Sequence, residues 1–450
     1  MERPFRLCDI RGVYPDEVNE EIITRAGRGI AGRCAPGEEV LVARDHRASS
    51  PSLHQALIEG LVAGGASVLD AGPVPTPLLY FGKRHLRVRY AATVTASHNP
   101  PSQNGMKFLP PDQSEIAAEA LLLARQIIPV SHTRGSVRRV ELFEPYLDWM
   151  LNRWQAELTL SGSPSFVLDP GGGLWSELAA RVFAKLGLSA WAIHDEPSSS
   201  FEARSPDCTL PHVLDPLGEE VRLRGAAAGF AWDGDGDRLA ICDDTGKSLS
   251  TDLMALLFVP KLLDRMQPES VLLDVKMSER VSEAVRTNGG SPIVSSSAHC
   301  LLERAMRLNQ CLFGCEYSGH YLFRELDFAD DGVFAALAFC SLVLRSGESL
   351  SELANALPPL FITPDIRIPC GPSDFTRTID RLSVEFQGSR FDRLDGLRIV
   401  TPDGWILARQ SVSEDKITWR MEGNSQAALE AILRRVARAI PEARAYLALG

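Results

Sequence analysis

The chain has 450 residues, 45% of them hydrophobic and 23% charged, which is enough for about three or four ordinary domains and a large buried core. Its 58 acidic and 47 basic residues give a formal net charge of −11 at pH 7, which argues against nucleic acid or a membrane surface as a partner. The N-terminal stretch "MERPFRLCDIRG" lacks the apolar segment of a signal peptide, and no apolar run reaches the length of a membrane span, so we expect a cytoplasmic protein.

Three stretches share one pattern, which is an apolar strand, a helix that ends in glycine, and a second apolar strand. They cover residues 40–72, 165–196 and 270–297. Glycine suits the end of a helix because the residue there often adopts a left-handed conformation. Unrelated copies of a common unit would also look alike, but the recurrence favours three α/β domains with mostly parallel sheets covered on both faces.

The spacing between these copies suggests where the domains meet. A helix-like segment at 141–158 leads out of the first unit, Thr245–Asp252 marks a second crossing, and the proline-rich stretch 356–374 marks a third. The tail after these has strand-like runs and the amphipathic helix pattern "SQAALEAILRRVARAI", which predicts a smaller α+β domain. The expected domains are residues 1–147, 148–246, 247–365 and 366–450.

Basic residues recur in the first predicted domain. The stretch "DIRG" places Arg11 before a glycine, and "ARDHRASS" places Arg44 and Arg47 after an apolar run. A loop position suits Arg11, while surface salt bridges explain these arginines equally well.

The stretch "VTASHNPP" places Ser97 between an apolar run and a turn signal, a common functional location in α/β folds. A hydrolase nucleophile would require glycines two residues before and after the serine, and neither is present. The adjacent His98 is badly placed to act as a base on Ser97. An ordinary loop serine therefore remains an alternative at this stage. Lys107 follows ten residues later in "NGMKF".

The strongest local signal is "WDGDGDRLAICDD". Asp233, Asp235 and Asp237 alternate with glycines, so three carboxylates can converge on one hard cation in a tight turn. An EF-hand would need glycine at position six and glutamate at position twelve, where this chain has Arg238 and Asp244. A site with three protein carboxylates leaves room for water and a phosphate oxygen, which favours Mg²⁺.

The stretch "CEYSGHYLF" places Glu316, Ser318 and His320 at alternating positions. On an extended loop these side chains would project to one side, where they could hydrogen-bond a polyol. An ordinary structural loop is at least as good an explanation of this stretch by itself.

A similar alternation occurs in "ARQSVSEDK", which places Arg409, Ser411 and Ser413 on one side of an extended segment. One guanidinium and two hydroxyls suit a phosphate group, although the pattern by itself is weak.

In order and spacing, these motifs resemble those of the α-D-phosphohexomutase family along nearly the whole chain. "TASHNP" is similar to the family's phosphoserine loop, "DGDGDR" to its metal loop, "CEYSGH" to its sugar loop and "RQSVSED" to its C-terminal phosphate loop. "DIRG" and "ARDHRASSP" fit as well. The resemblance implies four domains around a central cleft, and the first three would share one α/β topology with mixed, mostly parallel sheets.

The sugar loop and the following "FADDG" are similar to the bacterial phosphomannomutase/phosphoglucomutase branch. The resemblance implies an isomerase that interconverts hexose 1-phosphate and hexose 6-phosphate, with mannose or glucose as the sugar. A phosphoserine enzyme, a hexose 1,6-bisphosphate as intermediate and activator, and Mg²⁺ are implied with it. The alternatives are a phosphoglucosamine mutase, or a relative of low activity that binds sugar phosphates.

The resemblance also assigns a role to each matched residue. The phosphoryl carrier would be Ser97, and the acid/base candidates are Lys107 (the first choice), Arg11 and His320. The implied Mg²⁺ ligands are Ser97, Asp233, Asp235 and Asp237. The implied substrate-binding residues are Arg238, Lys276, His299, Glu316, Ser318, Arg409, Ser411 and Ser413. His98 and Asn99 would support the phosphoserine loop. The four domains would respectively carry the phosphoserine, the metal, the sugar and the distal phosphate.

Three residues depart from the family pattern. Cys315 replaces a glycine before the sugar-loop glutamate, Ser296 lies where the family has a basic group, and Asp415 places a negative charge near an expected phosphate. These departures raise the chance of altered substrate preference or low activity.

The expected partner is a small phosphosugar, with no nucleic acid or membrane, in a monomer or weak homodimer. Nine cysteines occur without a C-x-x-C pair, so we expect all nine to be reduced packing residues.

Overall fold

The computed structural model describes residues 4–111, 131, 134–158, 164–263, 268–411 and 416–447. Four β-sheets follow one another along these residues, and helices pack against each sheet. The predicted motifs lie in turns at the ends of strands of these sheets.

The first sheet has six strands: β1 Asp9–Val13, β2 Glu39–Arg44, β3 Ser67–Pro73, β4 Tyr90–Val94, β5 Gln103–Leu109 and β6 Val137–Arg139. Their spatial order is β1-β5-β4-β2-β3-β6. The central strands β4, β2 and β3 are parallel, and β5 is antiparallel to β4 and β1. The helices of this unit are α1 Glu20–Ala31, α2 Ser50–Ala63 and α3 Thr76–His85. Strand β4 is buried along its whole length because helices cover both faces of the sheet.

The second sheet contains β7 Ser165–Asp169, β8 Ser189–Ala192, β9 Ala228–Trp232, β10 Leu239–Asp243 and β11 Ser248–Leu249, in the order β11-β10-β9-β7-β8. The helices of this region are α4 Phe143–Leu158, α5 Leu178–Lys185 and α6 Asp215–Arg224. Helix α4 confirms the helix expected at the exit of the first unit.

The third sheet contains β12 Ser270–Asp274, β13 Ser291–Ser295, β14 Phe313–Cys315 and β15 Tyr321–Phe323, in the order β13-β12-β14-β15. Its helices are α7 Thr251–Leu263, α8 Glu279–Thr287, α9 His299–Leu308, α10 Gly332–Ser346 and α11 Leu350–Ala356.

The first three sheets share one topology, which confirms the predicted repeat. Each has a parallel pair joined by a helix, a third parallel strand, and a fourth strand that returns antiparallel to the third. The hairpins formed by the third and fourth strands are β4-β5, β9-β10 and β14-β15. Equivalent hairpins therefore carry the turns in which the first three motifs lie.

The fourth sheet is antiparallel, and two helices pack on it, α12 Pro372–Glu385 and α13 Gln426–Ala439. Its strands are β16 Phe361–Ile362, β17 Ile366–Pro369, β18 Arg390–Asp392, β19 Leu397–Thr401, β20 Gly404–Gln410 and β21 Lys416–Gly423. Their order is β16-β21-β20-β19-β18, and β17 also pairs with β21. This is the predicted α+β domain, and its hairpin β20-β21 carries the fourth motif.

The first three sheets share a hydrophobic core, whereas the fourth sheet has its own. One continuous cluster of buried side chains runs through the first three sheets, and within it the ring of Trp154 in α4 packs at a tilt against that of Phe334 in α10. The fourth sheet has a separate cluster of its own.

The fourth unit adjoins the third mainly through polar contacts. The Arg420 guanidinium pairs with the carboxylate of Asp252, and the Ser278 hydroxyl donates to Glu422. The apolar contact between these units is a small cluster around Trp405.

The expected domain limits stay predictions. Residue 147 lies within α4, residue 246 lies between β10 and β11, and residue 365 lies between β16 and β17. The second sheet extends past residue 246 through β11, and the fourth begins before residue 365 with β16.

The prediction that all nine cysteines are reduced packing residues is wrong for two of them. Cys8 and Cys300 form a disulfide across 292 positions of sequence, with their Cα atoms 5.7 Å apart. The other seven cysteines are free. A pairing over such a distance depends on how two domains meet, which cysteine spacing cannot reveal.

Among the described residues, no single helix is long and apolar enough to cross a membrane. Helices α10 and α11 together reach the length and composition, but they are bent by 82° at the break between them. Most of α10 is buried in the shared core, as in the core helix of a globular protein.

Candidate active site

A cavity of about 850 Å³ lies between the four units, and all four predicted motifs contribute to its lining. Each motif contributes from the turn of a hairpin, and each of the four units also contributes other residues to the lining. The residues that represent the four motifs there are Ser97, Arg238, Glu316 and Ser411.

Ser97 lies in the β4-β5 turn with a left-handed backbone, at φ 52°, and its side chain is almost completely buried. Its Oγ donates a hydrogen bond to Asp233 Oδ2 at 2.9 Å, which joins the first hairpin to the second. His98 Nδ1 is 3.4 Å from the same oxygen. Burial and the nearby cations Arg238 and Arg11 lower the pKa of His98, which favours a neutral imidazole.

Arg47 fixes the shape of this turn, a role that sequence reasoning missed. Its fully buried guanidinium donates to the carbonyl oxygens of Ser97, Asn99, Pro100 and Gln103, at 2.7 to 3.2 Å. Asp45 accepts from Arg47 Nε at 3.0 Å and balances its charge. The only sequence signal for this role was the position of "ARDHRASS" directly after a buried strand.

The three aspartates of the β9-β10 turn are fully buried, and their ligand atoms lie within 4.8 Å of one another. Asp233 Oδ1 accepts from the backbone N–H of Gly236 and Arg238. Gly236 has φ 82°, a conformation that favours glycine. Gly234 is needed for another reason, because a Cβ there would lie 2.7 Å from the Ser97 carbonyl oxygen.

Electrostatics at this turn fit a divalent cation. Burial and the two neighbouring carboxylates raise the pKa of Asp233 well above its ordinary value. Asp235 Oδ1 and Asp237 Oδ1 are buried and have no hydrogen-bond partner among the described residues. Buried carboxylate oxygens without donors are the ligands that Mg²⁺ prefers, so this donor set fits the ion.

Lys107 projects from β5 into the aspartate cluster. Its Nζ lies 2.6 Å from Asp235 Oδ2 and 2.5 Å from Asp237 Oδ2. Burial disfavours the ammonium, but these two carboxylates outweigh burial and raise the pKa of Lys107. Thr76 Oγ1, at the first position of α3, also donates to Asp235 Oδ2 at 2.7 Å. Thr76 is a second contact that the sequence did not suggest.

Arg11 lies within strand β1, so the expectation of a loop position is wrong, and its side chain reaches the Ser97 turn. Its guanidinium donates to Asp9 at 2.5 Å and to Asn99 Oδ1 at 3.1 Å. Asn99 in turn donates to the side chain of Gln103 at 2.7 Å. Arg11 and Asn99 therefore support the turn directly, and Arg11 also lines the cavity.

The sugar-loop motif forms a tight turn, so the expectation of an extended loop is wrong. The Glu316 N–H donates to the His320 carbonyl at 2.9 Å, and the Gly319 N–H donates to the Glu316 carbonyl at 3.0 Å. Gly319, with φ 91°, allows the reversal that alternation in sequence does not reveal. Glu316, Ser318 and His320 nevertheless all line the cavity.

Two polar atoms of this turn have no hydrogen-bond partner among the described residues. They are Oε2 of Glu316 and Oγ of Ser318, and both are buried. Burial would raise the pKa of Glu316, but the neighbouring His320, Lys276 and Arg238 lower it overall, which favours the charged carboxylate. A ligand with hydroxyl groups would satisfy both atoms.

His320 links the metal loop to the third sheet. Arg238 Nε donates to His320 Nε2 at 2.9 Å, and Asp330 accepts from His320 Nδ1. Asp330 Oδ2 also lies 3.0 Å from His299 Nε2. Burial disfavours the charged imidazole of His299, but Asp330 outweighs it and raises the pKa of His299 to about 9. Asp330 was not among the predicted site residues.

Cationic residues from the third and fourth units occupy the far side of the cavity. Lys276 Nζ lies 3.8 Å from Asp365 and 3.9 Å from Asp274. Arg409 Nε donates to Asp395 at 2.7 Å, and Ser411 lies beside it in the cavity wall. Ser413 lies outside the described residues.

The departures from the family pattern have simple structural settings. Cys315 is fully buried in β14, opposite Tyr321 of β15. The Ser296 hydroxyl donates to the Leu394 carbonyl at 3.1 Å, a contact between the third and fourth units. Asp415 lies outside the described residues.

Three family models match the chain, and their descriptions are phosphoglucomutase/phosphomannomutase, alpha/beta/alpha domains I, II and III. They match residues 2–128, 144–246 and 250–361. Over 436 residues, the chain is 31% identical to a phosphomannomutase/phosphoglucomutase of Pseudomonas aeruginosa, covering 95% of this chain and 93% of that protein.

Solved structures agree with these matches. A phosphoglucomutase/phosphomannomutase family protein of Burkholderia thailandensis has a TM-score of 0.87 and 30% identity, covering 98% of this chain and 97% of that one. An Aspergillus fumigatus N-acetylphosphoglucosamine mutase in complex with GlcNAc-6P and magnesium has a TM-score of 0.61. Its 14% identity, over 98% of this chain and 96% of that one, shows likeness of fold only.

Proposed function

The chain belongs to the phosphoglucomutase/phosphomannomutase family of hexose phosphate mutases, and from this premise we propose that it interconverts hexose 1-phosphates and hexose 6-phosphates of mannose and glucose. The observation that carries the proposal is the position of Ser97 Oγ, which contacts Asp233 in the same cavity that Glu316 and Ser318 line with unpartnered polar atoms. A phosphoryl carrier, a cation site and a hydroxyl-binding turn are the parts that such a transfer requires.

In the proposed reaction Ser97 begins as a phosphoserine. The hexose O6 attacks the phosphorus, the bond between phosphorus and Ser97 Oγ breaks, and the O6 proton passes to a base. The product is a hexose 1,6-bisphosphate, which turns over within the cavity. Ser97 Oγ then attacks the 1-phosphoryl group, O1 departs with a proton, and hexose 6-phosphate leaves.

Mg²⁺ fits the carboxylates of Asp233, Asp235 and Asp237, with Ser97 beside them, and when bound it would supply neutralisation of the charge that develops on the transferring phosphoryl group. Magnesium in a related mutase supports this assignment. The contacts from Thr76 and Lys107 hold the carboxylates in place before any substrate arrives.

The proton transfers fall to residues around Ser97. Lys107 remains our first candidate, because its Nζ contacts Asp235 and Asp237 beside the aspartate that accepts from Ser97. Its raised pKa suits it to donate a proton, so it would have to release one to these carboxylates or to solvent before it could act as a base. Arg11 and His320 are the other candidates. The Nε2 atom of His320 already accepts a hydrogen bond from Arg238, so His320 would need to break that contact before it could act as a base.

The far side of the cavity would hold the phosphate that does not react. Arg409, Lys276 and Ser411 all line it, and Arg409 is fixed in orientation by Asp395. Glu316 and Ser318 would grip the sugar hydroxyls in either orientation, since the two ends of a bisphosphate exchange places during the reaction. Ser413 belongs to this proposal from its sequence motif.

A coupled assay with mannose, glucose, glucosamine and N-acetylglucosamine 1-phosphates, each with Mg²⁺ and glucose 1,6-bisphosphate, tests the proposal. We expect turnover of the mannose and glucose substrates and a phosphoryl group on Ser97 by mass spectrometry. A preference for glucosamine 1-phosphate would instead assign the phosphoglucosamine mutase activity. Binding of hexose phosphates without any turnover would overturn the catalytic proposal. A cytoplasmic location and a monomer or weak homodimer stay predictions.

A further inference from the structure

The Cys8–Cys300 disulfide joins the first unit to the third at the wall of the substrate cavity. Cys8 directly precedes β1, and Cys300 lies in the first turn of α9. Both residues line the cavity and both are half-buried. The bond is therefore a covalent link between two walls of the cleft that would hold the substrate.

The linked segments carry residues of the candidate site. Asp9, next to Cys8, binds the guanidinium of Arg11, and Arg11 binds Asn99 in the Ser97 turn. His299, next to Cys300, lies 3.0 Å from Asp330. The bridge fixes the separation between the segment that supports the phosphoserine turn and the segment that carries His299.

The environment of the bridge differs from that of most other cysteines in the chain. Cys208, Cys242, Cys311, Cys315 and Cys340 are free and buried, whereas the bonded pair faces a cavity that admits small molecules. A helix N-terminus stabilises a thiolate, and Cys300 occupies the second residue of the ten-residue helix α9. A dissolved disulfide can therefore meet a reactive thiolate at this position.

We propose that Cys8 and Cys300 form a reversible thiol–disulfide modification site, through which low-molecular-weight disulfides slow the mutase. One protein thiolate attacks the dissolved disulfide, displaces one thiolate and forms a mixed disulfide. The second protein thiolate then attacks the protein sulfur of that bond and displaces the other. The protein pair is oxidised, and the dissolved disulfide is reduced to two thiols. Excess thiol reverses both steps.

Slower turnover follows from the need to turn a bisphosphate inside the cleft, and this part of the inference rests on the proposed function. A bond between the first and third units prevents the cleft from widening along that wall. We expect the oxidised form to lose kcat rather than affinity, because the sugar-binding turn and the aspartate cluster remain intact.

The test compares the full chain after equilibration with oxidised or with reduced glutathione. Peptide mapping without reductant should find the peptide pair containing Cys8 and Cys300 in the oxidised sample only. The oxidised protein should show a several-fold lower kcat with glucose 1-phosphate, and dithiothreitol should restore it. The Cys8→Ser/Cys300→Ser double variant, which has neither thiol, should keep the reduced-state kcat in both buffers.

Cys34→Ser and Cys370→Ser are the matched controls, since both cysteines are free and half-buried, and both should respond like the wild type. Equal kcat of the wild type in the two buffers, or a Cys8→Ser/Cys300→Ser double variant that still responds, would overturn the proposal, as would absence of the linked peptides.

Hydrogen exchange separates this result from failure of the proposed function. Residues 5–13 and 299–308 should exchange more slowly in the oxidised protein whether or not hexose 1-phosphates are turned over. Unchanged exchange in a protein that contains the linked peptides would overturn the restriction of the cleft.

Discussion

The β9-β10 and β14-β15 turns occupy the same topological position, yet different contacts hold their side chains. The Asp233 turn already receives hydrogen bonds from Ser97, Thr76, Lys107 and backbone N–H groups. Each turn also keeps two buried oxygens without a hydrogen-bond partner among the described residues, Asp235 Oδ1 and Asp237 Oδ1 in the first and Glu316 Oε2 and Ser318 Oγ in the second. The first turn is thus organised by side chains of the first unit and left open to a cation, whereas the second is completed by a ligand with hydroxyl groups. Position in the fold determines where a turn meets the cavity, and its side chains determine what it binds.

The largest expected effect comes from removing the Ser97 hydroxyl, which contacts the Asp233 turn. Ser97→Ala should lower kcat about 10⁴-fold or more, because no oxygen remains to carry the phosphoryl group. Coupled kinetics measures the loss, and an unchanged thermal midpoint shows that the fold survives. Ser102→Ala, an exposed serine in the same connection, is the control and should retain full activity. Full activity of Ser97→Ala would remove Ser97 from the reaction.

Truncating a side chain of the Glu316 turn should have a smaller effect on turnover and no effect on Mg²⁺ affinity. Glu316→Ala should lower kcat/KM about 10²- to 10³-fold, since it removes the charged acceptor for the sugar hydroxyls. Calorimetric titration should show unchanged Mg²⁺ affinity, because the aspartate cluster is untouched. Glu348→Ala, an exposed glutamate outside the site, is the control. Weakened Mg²⁺ binding in Glu316→Ala would show that the two turns are not separate in function.

Arg47 holds the Ser97 turn in shape, so replacing it should lower the free energy of unfolding more than it changes the phosphoryl transfer itself. Arg47→Lys keeps the charge but cannot reach four carbonyl oxygens at once, and we expect a loss of about 3 kcal/mol in the free energy of unfolding. Chemical denaturation measures the loss. Arg89→Lys, at an exposed ion pair with Glu38, should change it by less than about 1 kcal/mol. Equal stability of the two variants would mean that Arg47 does not hold the Ser97 turn.

The smallest effect concerns Asp331, which caps α10 just beyond the Glu316 turn. Burial raises the pKa of Asp331 from 3.8 to about 7, against hydrogen bonds from Phe334 N–H and the Tyr146 hydroxyl. A raised pKa in the folded state means that folding takes up a proton, so this contribution to stability is present at low pH and is lost as the pH rises from about 4 to about 7.

Asp331→Asn keeps the cap without a titrating group. Between about pH 5 and about pH 8, its thermal midpoint should therefore fall by a few degrees less than that of the wild type. Calorimetric scans at both pH values measure the difference. Parallel pH profiles of the two proteins would show that Asp331 does not titrate in this range.

How far the sequence could predict the site depended on the distance over which its contacts form. The aspartate cluster was readable because its carboxylates lie within five residues, and Lys107 because it follows Ser97 on the next strand of one hairpin. The repeat was readable because each copy builds its own parallel pair. The shape of the Glu316 turn could not be predicted, because Gly319 reverses the chain where the alternation of polar residues suggests an extended segment.

Contacts between distant residues could not be predicted. Arg47 reaches carbonyl oxygens fifty or more positions away, Thr76 reaches an aspartate of another domain, and Cys8 reaches Cys300. These contacts depend on how strands pair within a sheet or on how sheets meet, and no local pattern records either arrangement. Motif resemblance recovered the residues with recognisable roles, but it omitted those that hold them in place.

The separate core of the fourth unit has a consequence for how product can leave. Contacts such as Arg420 with Asp252 and Ser278 with Glu422 join groups that water can solvate when they part. Undocking this unit would break hydrogen bonds that water replaces and would expose little apolar surface, so its free-energy cost is modest compared with opening the continuous core of the other three. The fourth unit is thus the unit whose movement can open the cavity at the smallest free-energy cost.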